Sequence, residues 1–239
     1  MSHIVSSYDT ELNTLSTMIS EMGGVAETML ADAVEALVRR DADLAREVIA
    51  RDKTLDKLQR EVEERAVLTI ARRQPMATDL RETIAAIRMA GDLERIGDRA
   101  KNNAKRAIAI RDYRDLQGMV LSVRHMGELA LAQLRDVLDA HARRDIERAV
   151  DVWRRDGAID SLDSTLLAEL LAQMAADPRS VAFCTHMMFC SKNVERIGDH
   201  TTNIAETVYY RETGEALPDD RPKKDSTASV NAPKREGGE

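Results

Sequence analysis

Glu94-Arg95-Ile96-Gly97-Asp98 returns unchanged as Glu195-Arg196-Ile197-Gly198-Asp199, 101 residues further along the chain. Both copies lie in stretches whose apolar residues fall at helical spacing. A module used twice fixes the architecture before any single element is assigned. The correspondence extends outward from the pentapeptide. Met22-Gly23 pairs with Met126-Gly127, Asp41 with Asp145, Arg51-Asp52 with Arg155-Asp156 and Asp56 with Asp160, all at an offset of 104. Pro75 then pairs with Pro178 at an offset of 103, so the small deletions fall around Pro178 and the start of the last helix. Length changes are tolerated best in such connections.

In the first copy the apolar pattern predicts one helix through Leu12, Leu15, Ile19, Met22, Met29, Ala33 and Leu37, and a turn at residues 39–43. A second helix runs through Leu44, Val48, Leu55, Leu58, Val62 and Leu68 and stops before Pro75, which disfavours helix in the residue preceding it. The third is expected to be capped by Thr78 or Asp79 and to run towards Arg111. The fold class is therefore all-α: two tandem three-helix bundles related by internal duplication, residues 1–112 and 113–214. From about Glu215 the sequence turns to Pro, Asp, Lys, Ser and Gly, and a disordered tail is expected over 215–239.

Composition agrees with a helical bundle. Charged residues make up 32% of the 239 and aromatics only 3%, too few for a typical β-sandwich core. A formal net charge of −7 speaks against nucleic acid, whose nonspecific binding depends on Lys and Arg. The amino terminus lacks a basic region followed by an apolar run, and no apolar stretch reaches the roughly 20 residues of a membrane span. A cytoplasmic protein is expected. Cys184 and Cys190 form neither a C-x-x-C pair nor a disulfide framework and read as buried thiols.

The chemistry lies in the carboxylates. On a helix turning about 100° per residue, Glu94 and Asp98 stand about 40° apart, beside the apolar stripe of Leu80, Ile84 and Ile87. Gly97 and Gly198 each cost roughly 1 kcal/mol in a helix interior, which a close approach of a neighbouring helix would offset. The preceding helix of each half carries another pair, Asp52 with Asp56 and Asp156 with Asp160. Four carboxylates per half could thus converge, and hard oxygen donors of this kind suit Mg²⁺, Mn²⁺, Ca²⁺ or iron. A salt-bridge network is the competing reading, with Arg95 or Lys101 neutralising Asp98. Lys101 and Lys105 correspond to Thr202 and Glu206, so the stripe Glu195, Asp199, Asn203 and Glu206 holds less local positive charge and is the better candidate site. The sequence contains no P-loop, no G-x-G-x-x-G and no H-E-x-x-H, and no histidine follows a Glu by three.

Two three-helix units, each with E-R-I-G-D and an Asn four residues beyond, resemble the PhoU family of bacterial phosphate-signalling regulators over residues 8–214. The resemblance implies a cytoplasmic, commonly dimeric all-α protein that is not an enzyme. It further implies partners: the ATPase subunit of a phosphate ABC importer and the sensor histidine kinase of the phosphate two-component system. With them such a protein limits phosphate uptake and starvation-gene expression when phosphate is plentiful. Carried over by motif, the candidate metal ligands are Glu195, Asp199, Glu94, Asp98, Asp156, Asp160, Asp52 and Asp56, for iron, manganese, magnesium or zinc. Arg99, Lys101 and Lys105 depart from the pattern by adding positive charge to the first half. Two other readings stand beside this one, a carboxylate-bridged metal-dependent hydrolase and a metal-free helical adaptor.

Overall fold

The computed structural model describes residues 2–113 and 117–217, with side chains from Thr10 onward. Residues 218–239, most of the segment expected to be a tail, lie outside the described residues. Among the described residues the regular elements are all helical. They are α1 (Ser2–Arg39), α2 (Ala42–Arg73), α3 (Ala77–Ala109), α4 (Gln117–Arg143), α5 (Ile146–Arg154), α6 (Gly157–Ala176) and α7 (Val181–Thr213), with one 3₁₀ turn at Pro178–Ser180.

The duplication reaches the turns. Arg40 and Arg144, 104 residues apart, both adopt the left-handed conformation, with φ of 58° and 56°. The next N–H groups, of Asp41 and Asp145, donate back to Ala36 O at 3.0 Å and Ala140 O at 2.9 Å. This closes the first helix of each half with the six-to-one bond of a Schellman ending. The same aspartates then open the following helix. The Asp41 carboxylate accepts from the N–H groups of Asp43 and Leu44, and Asp145 accepts from that of Arg148. Ion pairs repeat as well, Arg51 with Asp32 at 2.6 Å and Arg155 with Asp136 at 2.6 Å.

Two local expectations are corrected. Thr78 and Asp79 do not cap α3. Met76 occupies the capping position with no side-chain bond, and Asp79 sits inside the first turn, its N–H donating to Met76 O. Just upstream, Gln74 turns left-handed at φ 49° ahead of Pro75, and Met76 is extended before α3 begins at Ala77. In the second half the counterpart of α2 is interrupted at Arg155-Asp156 and becomes α5 and α6. There the Arg155 N–H donates to Val152 O, a tighter turn than α-helix, and the Gln133 amide donates to Arg155 O at 3.2 Å. Gly157 follows, a weak helix former where the first half has Lys53.

One continuous apolar core serves both halves, running from Leu15, Ile19 and Met22 on α1 to Phe183, Met187 and Ile197 on α7. The repeats meet through α1 against α4 and α3 against α7. The α1–α4 contact is reciprocal. A Cβ on Gly23 would stand 2.7 Å from Leu138 Cδ2, and one on Gly127 would stand 2.5 Å from Val34 Cγ2. Gly23 and Gly127 are repeat equivalents, as are Val34 and Leu138, so the halves face each other about a pseudo-twofold axis. The α3–α7 contact is partly polar. Asn193 donates to Asn103 Oδ1 at 2.8 Å, and Asn203 donates to Asp92 Oδ1 at 3.3 Å.

Candidate functional site

The repeated pentapeptides sit midway along α3 and α7, with their glycines turned towards the helix before each. A Cβ on Gly97 would meet Leu55 Cδ2 at 2.2 Å, and one on Gly198 would meet Ile159 Cδ1 at 3.1 Å. Leu55 and Ile159 immediately precede Asp56 and Asp160. The glycines thus let α2 and α6 lie against the motif helices at the level of the acids.

In the first half Glu94 lies within electrostatic reach of the other three acids. Burial raises the Glu94 carboxyl above its ordinary range; Asp98 adds to the rise, Arg95 opposes it, and Asp56 and Asp52 raise it further. Positive charge is also at hand. Lys101 Nζ lies 2.6 Å from Asp52 Oδ2 and 2.6 Å from Asp98 Oδ1, joining α2 to α3. Burial lowers the pKa of this ammonium, yet its two carboxylate partners outweigh burial and raise it to about 12.

The second half is more deeply buried and differently neutralised. Asp156, at the position preceding α6, and Asp160 and Asp163 within it are all buried, as is Glu195 of α7, only 6% exposed. Lys192 Nζ lies 2.9 Å from Glu195 Oε1 and 3.8 Å from Asp163 Oδ2. The Ser191 hydroxyl donates to Asp163 Oδ1. Asp156 Oδ1 accepts from the Thr202 hydroxyl at 3.0 Å. Burial raises the Glu195 carboxyl; Lys192 pulls it down, and Asp199 and Asp163 push it up. Its second oxygen, Oε2, is buried without a hydrogen-bond partner.

Asp163 and Lys192 escaped the sequence reading. Asp163 corresponds to Gln59, so comparing the repeats hides it, although acids at i, i+4 and i+7 (Asp156, Asp160, Asp163) give it away. Lys192 lies three residues from Glu195, the same spacing that singled out Lys101. Other stripe members are engaged elsewhere. His200 Nδ1 and the Asn203 amide both reach Asp92, and Glu206 accepts from the Trp153 indole at 3.2 Å. Both cysteines are free and buried.

The donor sets fit a metal ion unequally. Among the described residues no three His, Cys, Asp or Glu side chains stand close enough to hold a metal as arranged. In the first half the Lys101 ammonium occupies the space between Asp52 and Asp98, and the arrangement does not fit a further cation. In the second, the orphaned Glu195 Oε2 beside Asp163 and Asp199 is the kind of hard donor that a cation satisfies.

Fold and site together define a duplicated, all-helical protein, among its described residues, with an acidic face on each half. The PhoU domain family matches residues 19–107 and again 123–208. A phosphate-specific transport system accessory protein PhoU homolog of Rhizobium meliloti is 50% identical over 230 residues, covering 96% of this chain and 97% of the relative. The crystal structure of PhoU from Pseudomonas aeruginosa superposes with a TM-score of 0.85 at 36% identity, covering 87% of this chain and 100% of that one. The phosphate transport system regulatory protein PhoU from Streptococcus pneumoniae is similar at a TM-score of 0.82 and 26% identity, over 88% of this chain and 99% of that one. The chain belongs to the PhoU family, a family of accessory and regulatory proteins and not of enzymes. The hydrolase alternative falls with that assignment. None of the described helices is long and apolar enough to cross a membrane.

Proposed function

We propose that this protein is the accessory regulator of a phosphate-specific transport system. It acts as a cytoplasmic helical adaptor, as a homodimer, between the importer's ATPase subunit and the sensor histidine kinase that reads phosphate supply. When phosphate is plentiful it limits uptake and keeps starvation genes off. The observation that carries the reading is the match of both repeats, over nearly the whole chain, to relatives described as accessory to or regulatory of phosphate transport.

The second-half acidic face is the proposed metal site, with Glu195 and Asp199 of α7 and Asp160 and Asp163 of α6 as the residues that would hold iron, manganese, magnesium or zinc. A bound cation would supply charge neutralisation there and fix α6 against α7. The chain's own part is to present that face at a constant angle to a partner helix. Deletion of the gene should leave alkaline phosphatase derepressed in high phosphate, and complementation should restore repression. Unaltered repression in the deletion strain would sink the regulatory assignment. Metal content of protein purified without chelator, beside Glu195→Gln/Asp199→Asn, tests the cation: equal, negligible content in both removes it.

A further inference from the structure

The two acidic faces match in position, yet their positive charge comes from different places. In the first repeat Lys101 spans Asp52 and Asp98 with two short contacts, 2.6 Å each, and its side chain is only 20% exposed. The equivalents of these residues are Thr202, Asp156 and Asp199. Thr202 keeps the bond to the equivalent acid, Asp156, at 3.0 Å, but as a neutral hydroxyl. The second repeat draws its ammonium from Lys192, a turn before the motif instead of a turn after it, and the equivalent of Lys192 is Gly91, which has no side chain. Lys192 stands on the rim at 37% exposure and leaves Glu195 Oε2 unpartnered. Thus a tethered cation closes the first face from within, and the second face keeps a buried oxygen in want of one.

We propose that Lys101 is the resident cation of the first repeat, standing where Asp52 and Asp98 would otherwise require a bound ion, so that metal uptake is confined to the second repeat. Only the last clause rests on the metal reading above. An entering ion would have to displace an ammonium held by two charge-assisted bonds and then tolerate that ammonium beside it. The Lys101/Thr202 exchange therefore sets which half responds to metal.

The test uses the full chain with the second face silenced by Glu195→Gln/Asp199→Asn, to which Lys101→Thr or Lys101→Arg is added. Free Mn²⁺ is the probe, followed by its electron paramagnetic resonance signal and by thermal unfolding with Mn²⁺ or EDTA. The silenced parent should bind no Mn²⁺ and unfold at one temperature in both. Adding Lys101→Thr should lower that temperature by at least ~3 °C in EDTA, a shift of the size one kcal/mol gives in a chain this long. Mn²⁺ should restore it, with about one ion bound per chain as expected of a hard oxygen site. Lys101→Arg should stay metal-independent. Should Lys101→Thr not fold, Lys101→Gln, which preserves side-chain length, is read in the same way. Mn²⁺ binding by the silenced parent that Glu94→Gln/Asp98→Asn abolishes would overturn the proposal. So would a Lys101→Thr chain that gains no Mn²⁺, whatever its stability. A wild-type chain that binds no metal refutes the second-half site and leaves these outcomes unchanged.

Discussion

Alanine at Gly97 and at Gly198 should have unequal consequences, although the two glycines occupy equivalent places in an identical pentapeptide. Each change gains the same helix propensity, roughly 1 kcal/mol. What differs is the neighbour. The new methyl at residue 97 would fall 2.2 Å from Leu55 Cδ2, and Leu55 is buried at 1% exposure, whereas at residue 198 it would fall 3.1 Å from Ile159 Cδ1. Overpacking of the first kind costs typically 1–3 kcal/mol, and relief of a few tenths of an ångström costs far less. Net of the propensity gain, Gly97→Ala should therefore destabilise by up to about 2 kcal/mol, lowering Tm by up to about 8 °C, while Gly198→Ala should fall within about 1 kcal/mol of the parent. Urea unfolding of both variants gives the comparison, and their difference cancels the propensity term. A double-mutant cycle with Leu55→Ala locates the cause, since shortening Leu55 should recover most of the overpacking term in the Gly97→Ala background. Equal effects at the two glycines, or no coupling to Leu55, would refute the close-approach argument.

Three further outcomes can be checked on the same protein. Arg40→Gly should stabilise by up to about 1 kcal/mol, because Arg40 holds φ 58° and its one described bond, to Gln117, is exposed; Arg144→Gly should gain less, because it loses its ion pairs with Glu82 and Glu212. Burial first, then the charges of Arg211 and Arg144, push His141 down to about 3, so the unfolded chain takes up the proton first as pH falls. The associated stability is complete above about pH 6.5 and declines from there towards pH 3, by about 2 kcal/mol at pH 5. His141→Asn, which keeps an acceptor for the Arg211 guanidinium now 2.6 Å from Nδ1, should flatten the dependence of the urea midpoint on pH between 7.5 and 5. Glu94 has a raised folded pKa, so its ionisation costs stability that is present at low pH and lost as pH rises; Glu94→Gln should raise Tm at pH 7.5 and leave it unchanged at pH 3.5, and a uniform rise at both would contradict this.

How far the sequence carries the reader depends on whether a feature is written in local spacing or in side-chain reach. The repeat, the turns at Arg40 and Arg144 and the close approach at Gly97 are legible because offset, hydrophobic period and a costly glycine all leave marks in the one-dimensional pattern. The break between α5 and α6 is hidden by the very residues that align best, since Arg155-Asp156 repeats Arg51-Asp52 while a distant Gln133 amide and the neighbouring Gly157 decide the backbone. Nothing local marks Asp92, on which His200 and Asn203, more than 100 residues away, converge. Lys192 is hidden from a comparison of the repeats because the first repeat has Gly91 at its place.

The reciprocal seating of Gly23 under Leu138 and Gly127 under Val34 makes this chain, in effect, a dimer whose two subunits share one covalent backbone. An interface between separate identical chains would impose every substitution on both sides of its axis at once. Fusion removes that constraint. A lysine can be placed on one acidic face and a threonine on the other without disturbing the shared contact, so the architecture preserves the symmetry of packing while leaving each face free to diverge.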